Sequence, residues 1–222
     1  MTRRAVREPL VAEAVDYFSN HRLKLRYPWR LYHGPLTDAF ARAVRQAPGP
    51  ELLNVGSGPF FELELLPPSD KRWTICDIDA RAVELAQRIH GGRLARADVM
   101  EADKPLPYRD NSFDLVASMD VIEHVLEPER FVREILRVMK PGGRLFFTTP
   151  NYQSLSLKVL EATVLEAIAR VQGFSRKNLH PTKFNPDRLR RILEDCGATR
   201  VSVKVISFGW VLVAEAEKPH AA

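Results

Sequence analysis

ELLNVGSGPFFELELLPPSD, residues 51–70, opens as a buried strand and turns at once into a glycine-bearing loop. Leu52, Leu53 and Val55 make the near-continuous apolar run of a strand covered on both faces. Gly56 and Gly58 then let the backbone approach a ligand closely, with Ser57 between them. The spacing is not the G-x-G-x-x-G of a dinucleotide site, because Phe61 stands in the third glycine's place. Pro67 and Pro68 restrict whatever helix follows to a short one.

Strand, turn and helix alternate from this segment onward. Further strands are predicted at Trp73–Cys76, Arg93–Ala97, Phe113–Ser118 and Arg144–Thr149. Between them, DARAVELAQRIHG is a helix capped by Asp79, and EPERFVREILRVMKPGG is a helix stopped by Pro141, Gly142 and Gly143. Such alternation predicts a parallel, doubly wound sheet with right-handed crossovers. Upstream, residues 8–47 read as two helices, the second with Pro35 near its start. Downstream, Ser154–Phe174 reads as a long amphipathic helix with Leu155, Leu157, Val159, Leu160, Val164, Leu165 and Ile168 along it. NPDRLRRILEDCG is another helix, and the chain closes as a hairpin through Gly209. The expected division of a single domain is a helical cap at 1–50, a core at 51–150, an inserted helical lid at 151–180, and a helix and hairpin at 181–222.

Composition is that of a soluble globular protein: 222 residues, 45% apolar and 27% charged. Lys and Arg number 33 against 28 Asp and Glu, and part of that excess lies near the start, in NHRLKLRYPWRLYHG. Such a run is a solvated helix surface or a contact for phosphate, anionic lipid or an acidic substrate. The two cysteines, Cys76 and Cys196, build neither a disulfide framework nor a zinc site, which suits a reducing cytoplasm. No signal-peptide core is visible, and no apolar run approaches the ~20 residues of a membrane span. Peripheral membrane contact stays compatible with this pattern.

Ligands of open parallel sheets bind beyond the carboxyl ends of the strands. Asp77 ends the second strand, at the distance from Gly56 where an acid accepts both hydroxyls of a ribose. Asp98 and Val99 end the third, offering an acceptor for an exocyclic amine and an apolar contact for a base.

The run FDLVASMDVIEHVLEPERFVREILRVMKPGGRLFFTTPN resembles the class I S-adenosylmethionine-dependent methyltransferases, in the branch that includes the ubiquinone-biosynthesis O-methyltransferases. The resemblance spans about Glu51 to Gly197. It implies an α/β, Rossmann-like, seven-stranded sheet whose last strand is antiparallel, with N-terminal helices and an inserted lid. It also implies bound S-adenosylmethionine. Asn54, Gly56, Ser57 and Gly58 would then lie at the methionine end, Asp77 and Ile78 at the ribose, and Asp98 and Val99 at the adenine. Ser118 and Met119 would line the sulfonium side. Two positions depart from the family. Asn54 replaces an acid and is expected to order the loop through its amide. Phe60 replaces a glycine, which predicts no easy positive-φ turn there and a pocket wall shared with Phe61.

MDVIEHV places Asp120, Glu123 and His124 at i, i+3 and i+4, one face if the stretch is helical. In the resembled enzymes the matching positions bind a divalent metal, here expected as Mg2+ on Asp120, Glu123 and His124. The other readings of Glu123 and His124 are general-base chemistry by His124 and ordinary pocket-rim structure. His180, in HPTKF, meets the substrate, joins the metal set or caps a loop. Tyr27, Trp29, Tyr32 and Tyr152 are candidates for stacking on an aromatic acceptor. The expected function is methyl transfer to a small, rather apolar hydroxylated acceptor such as a phenol, quinone precursor or lipid. An RNA methyltransferase using Arg22, Lys24 and Arg26 is the second reading, with no recognisable RNA-binding domain in its favour. A degenerate cofactor fold serving as a partner subunit is the third.

Overall fold

The computed structural model describes residues 29–102, 104–160, 162–163 and 180–220. The first of the two N-terminal helices, the Arg22, Lys24 and Arg26 cluster, Tyr27 and most of the inserted helix lie outside them.

Seven strands form one sheet: β1 (Glu51–Val55), β2 (Arg72–Asp77), β3 (Leu94–Val99), β4 (Phe113–Met119), β5 (Met139–Pro150), β6 (Thr199–Ile206) and β7 (Val211–Glu217). Their order is β3-β2-β1-β4-β5-β7-β6. All pairings are parallel except those of β7, which runs antiparallel to both β5 and β6. The doubly wound sheet with a closing antiparallel hairpin is thus the architecture read from the sequence.

Both faces are covered. Helices α1 (Trp29–Arg45) and α2 (Ala80–His90) pack on one face, where Leu52, Ile75, Leu115, Phe146 and Val213 project. Helices α3 (Pro128–Val138) and α5 (Pro186–Asp195) pack on the other, against Leu53, Val116, Leu145, Phe147 and Leu212. A short helix, α4 (Leu155–Leu160), follows β5. Neighbouring residues of one strand feed opposite layers, as the two-residue period of a strand requires. The edge strand β3 is largely exposed, unlike the buried β1 and β4.

Three local expectations are corrected. Helix α1 already includes Trp29, so Pro35 lies inside it, with the Thr37 hydroxyl donating to the His33 carbonyl at 3.0 Å. Helix α3 ends at Val138 and runs directly into β5, three residues before Pro141. The glycines there serve the strand instead: a Cβ at Gly143 would lie 2.7 Å from the Lys140 carbonyl oxygen. Phe60 does adopt a positive φ, 54°, and it is fully buried rather than part of a pocket wall. Its ring packs 4.8 Å from Trp73 and 6.3 Å from Phe40, so core burial holds the residue in a left-handed conformation that costs an L-residue about 1–2 kcal/mol. A five-residue 3-10 turn, Phe61–Leu65, takes the place of a full helix before Pro67.

Asp79 caps α2 by accepting from the Arg81 N–H at 3.0 Å, and its hydrogen bond to the Arg81 side chain holds its carboxyl below the ordinary range. At the other end of α2, His90 is buried and its Nε2 has no hydrogen-bond partner among the described residues. Burial, partly opposed by Glu64, lowers its pKa. The unfolded chain therefore binds the proton more readily. His90 contributes stability that is full above the ordinary value of 6.5 and is lost as pH falls from there through the lowered folded value. Urea titrations across that window are expected to show falling midpoints, and His90→Gln should flatten the trend. An unchanged trend in the variant would remove His90 as its source.

Candidate active site

The carboxyl ends of β1, β2, β3 and β4 converge on one edge of the sheet. The Gly56 and Ser57 amides both donate to the Cys76 carbonyl, at 2.8 and 3.2 Å, which folds the loop across the end of β2. Gly56 has φ 67°, and a Cβ there would run into the Val121 side chain. Gly58, at φ 52°, has open space where a Cβ would be. Its amide donates to Asp77 Oδ2 at 2.7 Å, while Asp77 Oδ1 accepts from the Asp79 amide at 2.9 Å. Asp77 therefore fixes the glycine loop and the start of α2 while retaining lone pairs for a ligand.

Asn54 is completely buried, and neither its Oδ1 nor its Nδ2 has a hydrogen-bond partner among the described residues. The loop is ordered by Asp77 and Cys76, not by the Asn54 amide as the sequence suggested. Ser118, at the end of β4, is equally buried with an unpartnered Oγ among the described residues, and Met119 beside it packs toward the α1 face. Ile78 and Val99 are each 53% exposed, two apolar side chains presented at adjacent strand ends. Between these positions in sequence, Asp98 is held by Arg96 at 2.7 Å and by the Tyr108 hydroxyl at 2.9 Å. Neither partner of Asp98 stood out in the sequence, because Tyr108 reaches it from the loop before β4.

Residues 122–124 form a single 3-10 turn, which does not present Asp120, Glu123 and His124 on one helical face. Asp120 lies outside it at φ 55° and accepts from the Thr148 hydroxyl at 2.9 Å. Glu123 is buried and accepts from the Thr149 hydroxyl at 3.0 Å. The Thr182 amide donates to the Glu123 carbonyl at 3.1 Å, which brings the HPTKF segment against this turn. As a result, ligand-capable atoms of Glu123, His124 and His180 all lie within 4.8 Å of one another, without Asp120. The His124 and His180 rings are 4.7 Å apart, and the Tyr152 hydroxyl meets His180 Nδ1. The sequence named Tyr152 only as a stacking residue. Its pairing with His180 depends on the Asn151–Phe184 bridge, which docks two segments distant in sequence.

Residues 53–147 match the family model for a methyltransferase domain. The chain superposes with a TM-score of 0.62 on a possible histamine N-methyltransferase of Thermotoga maritima, 20% identical, covering 90% of this chain and 96% of that one. A Methanosarcina mazei structure of the S-adenosylmethionine-dependent methyltransferases gives 0.58 at 23% identity, covering 80% and 97%. The chain shares the fold of these methyltransferase structures. In sequence, the chain is 32% identical over 165 residues to a "Probable S-adenosylmethionine-dependent methyltransferase" of Mycobacterium tuberculosis, covering 74% of this chain and 54% of that protein. The chain thus spans about half that relative's length. The glycine loop and the acids that end β2 and β3 fall inside the matched segment. The histidine cluster straddles its end, with His180 beyond it. Among the described residues no helix is long and apolar enough to cross a membrane.

Proposed function

We propose that this chain binds S-adenosylmethionine across the ends of β1 to β4 and methylates a hydroxyl of a small, rather apolar acceptor. One observation carries the reading: Asp77, tied to the Gly58 amide, stands beside exposed Ile78 and Val99 at neighbouring strand ends. Apolar side chains held open to solvent next to fixed carboxylates suit a nucleoside, whose base is flat and apolar and whose ribose donates hydroxyls. Asp77 would accept from the ribose, Asp98 from the adenine amine, and Ile78 and Val99 would contact the base. Gly56, Ser57 and Gly58 would pass beneath the methionine. The buried amide of Asn54 and the Ser118 hydroxyl are orphaned polar groups of the kind a polar ligand satisfies.

S-adenosylmethionine, when bound, supplies a methyl group on a sulfonium, which leaves as a thioether carrying the electron pair of the broken bond. The chain's own task is alignment and proton removal. His124 would take the proton of the acceptor hydroxyl, with the buried Glu123 carboxylate stabilising the imidazolium. His180, turned by Tyr152, would orient the acceptor oxygen. One carboxylate and two imidazoles also fit a divalent ion, and imidazoles favour a transition ion over Mg2+. Such an ion would lower the pKa of a coordinated hydroxyl. The resemblance to the ubiquinone-biosynthesis branch supports an oxygen acceptor.

Calorimetry should show binding of S-adenosylhomocysteine to the unmodified chain; no binding would sink the proposal. With labelled cofactor and a panel of phenols and quinols, His124→Ala is expected to lower turnover by about 10²–10⁴ while leaving S-adenosylhomocysteine affinity unchanged. Equal turnover in the variant would remove the histidine from the reaction. Loss of turnover in chelator, restored by Mn2+ or Zn2+, would assign the ion; full turnover in chelator would exclude it.

A further inference from the structure

The acid at the end of β3 is more tightly engaged than a surface carboxylate needs to be. Arg96 Nε lies 2.9 Å from Asp98 Oδ1 and 2.7 Å from Oδ2, and the Tyr108 hydroxyl donates to Oδ2 at 2.9 Å. A carboxylate offers about four lone-pair sites, two on each oxygen. The single Nε–H is shared between the two oxygens and the hydroxyl takes a site on Oδ2, so Oδ1, which has no second donor, is the more open acceptor. Tyr108 is itself anchored. It is 8% exposed, its ring meets Phe113 edge-on at 5.2 Å, and the Arg96 guanidinium lies over its face at 5.2 Å. Burial keeps its hydroxyl protonated and a donor, and burial likewise pushes the neighbouring Cys76 thiol up to about 12, so no thiolate competes.

We infer that Tyr108 is a positioning residue that, with Arg96, holds Asp98 so that its more open oxygen, Oδ1, reads the exocyclic amine of an adenine. The inference rests on the proposed cofactor site. A base with an amine at this position donates one hydrogen bond to Oδ1. A base with a carbonyl oxygen there meets a carboxylate that is locked as an acceptor and cannot turn away, and the two oxygens repel. Removing the tyrosine hydroxyl opens a lone pair on Oδ2, frees the carboxylate to rotate, and withdraws a donor that favours its ionised form. Both freedoms relax the distinction between the two bases.

The test compares S-adenosylhomocysteine with its 6-oxo analogue, S-inosylhomocysteine, by calorimetry on the full chain. The unmodified protein is expected to prefer the amino form by roughly 100-fold. Tyr108→Phe retains the ring against Phe113, and it should weaken S-adenosylhomocysteine by about tenfold and reduce the preference to below about tenfold. Arg96→Met, on the solvent side of the same pair, should reduce the preference in the same direction. If Tyr108→Phe keeps both affinity and preference, or weakens both ligands equally with the preference intact, the positioning role is overturned and the cofactor reading stands. If the unmodified protein binds neither compound, the cofactor reading itself fails.

Discussion

Phe60→Ala is expected to lower the free energy of unfolding by about 3–5 kcal/mol, the usual loss for a fully buried phenylalanine. Phe60 has no exposed surface and is one of four linked rings, Phe40, Phe60, Trp73 and Phe146, that join α1 to the sheet. Phe60→Gly sharpens the test, because it supplies the residue suited to φ 54° while deleting the ring. Relief of the left-handed backbone returns only about 1–2 kcal/mol, so this variant should still be destabilised. Urea unfolding followed by fluorescence measures both. A glycine variant as stable as the parent would show that the ring contributes little and that the turn alone is what the position requires.

Asp77→Ala is the second large effect, and it falls on binding. The carboxylate accepts from two backbone amides, Gly58 and Asp79, and is proposed to accept from two ribose hydroxyls. Charge-assisted hydrogen bonds contribute about 1.5–3 kcal/mol each, so losing the ribose pair and slackening the loop should weaken S-adenosylhomocysteine by about 10³-fold or more. Asp79→Ala is the comparison. It removes the side-chain cap of α2 at a cost near 1 kcal/mol of stability, and it should leave affinity within a few-fold of the parent. Equal affinities for Asp77→Ala and the parent would place the nucleoside elsewhere.

What the sequence made legible was whatever local pattern encodes. Apolar runs of four to six residues marked the strands, the Asp79 cap marked a helix start, and Gly209 marked the closing hairpin. The acids at strand ends were legible because a parallel sheet puts every strand's carboxyl end on the same edge. The conformation of Phe60 was not, because propensity argues against a left-handed phenylalanine and only long-range packing overrides it. Asp120 leaves the histidine cluster for the same kind of reason: the chain forms a single 3-10 turn, and Thr148 offers the carboxylate a nearer partner. Tyr152 with His180, and Tyr108 with Asp98, are tertiary pairings that no spacing in the chain announces.

Helix α1 packs Ala39, Phe40, Ala43 and Val44 into a layer that also contains Val211 and Val213. The Ser207 hydroxyl, 175 residues further on, donates to the Tyr32 carbonyl at 2.6 Å, and the Tyr32 and Trp210 rings lie 6.1 Å apart. During synthesis at about 5–20 residues per second, this helix leaves the ribosome on the order of ten to thirty seconds before the hairpin that completes its seat. Its apolar stripe therefore waits, partly uncovered, through most of translation, and the element made first among those described is the one finished last.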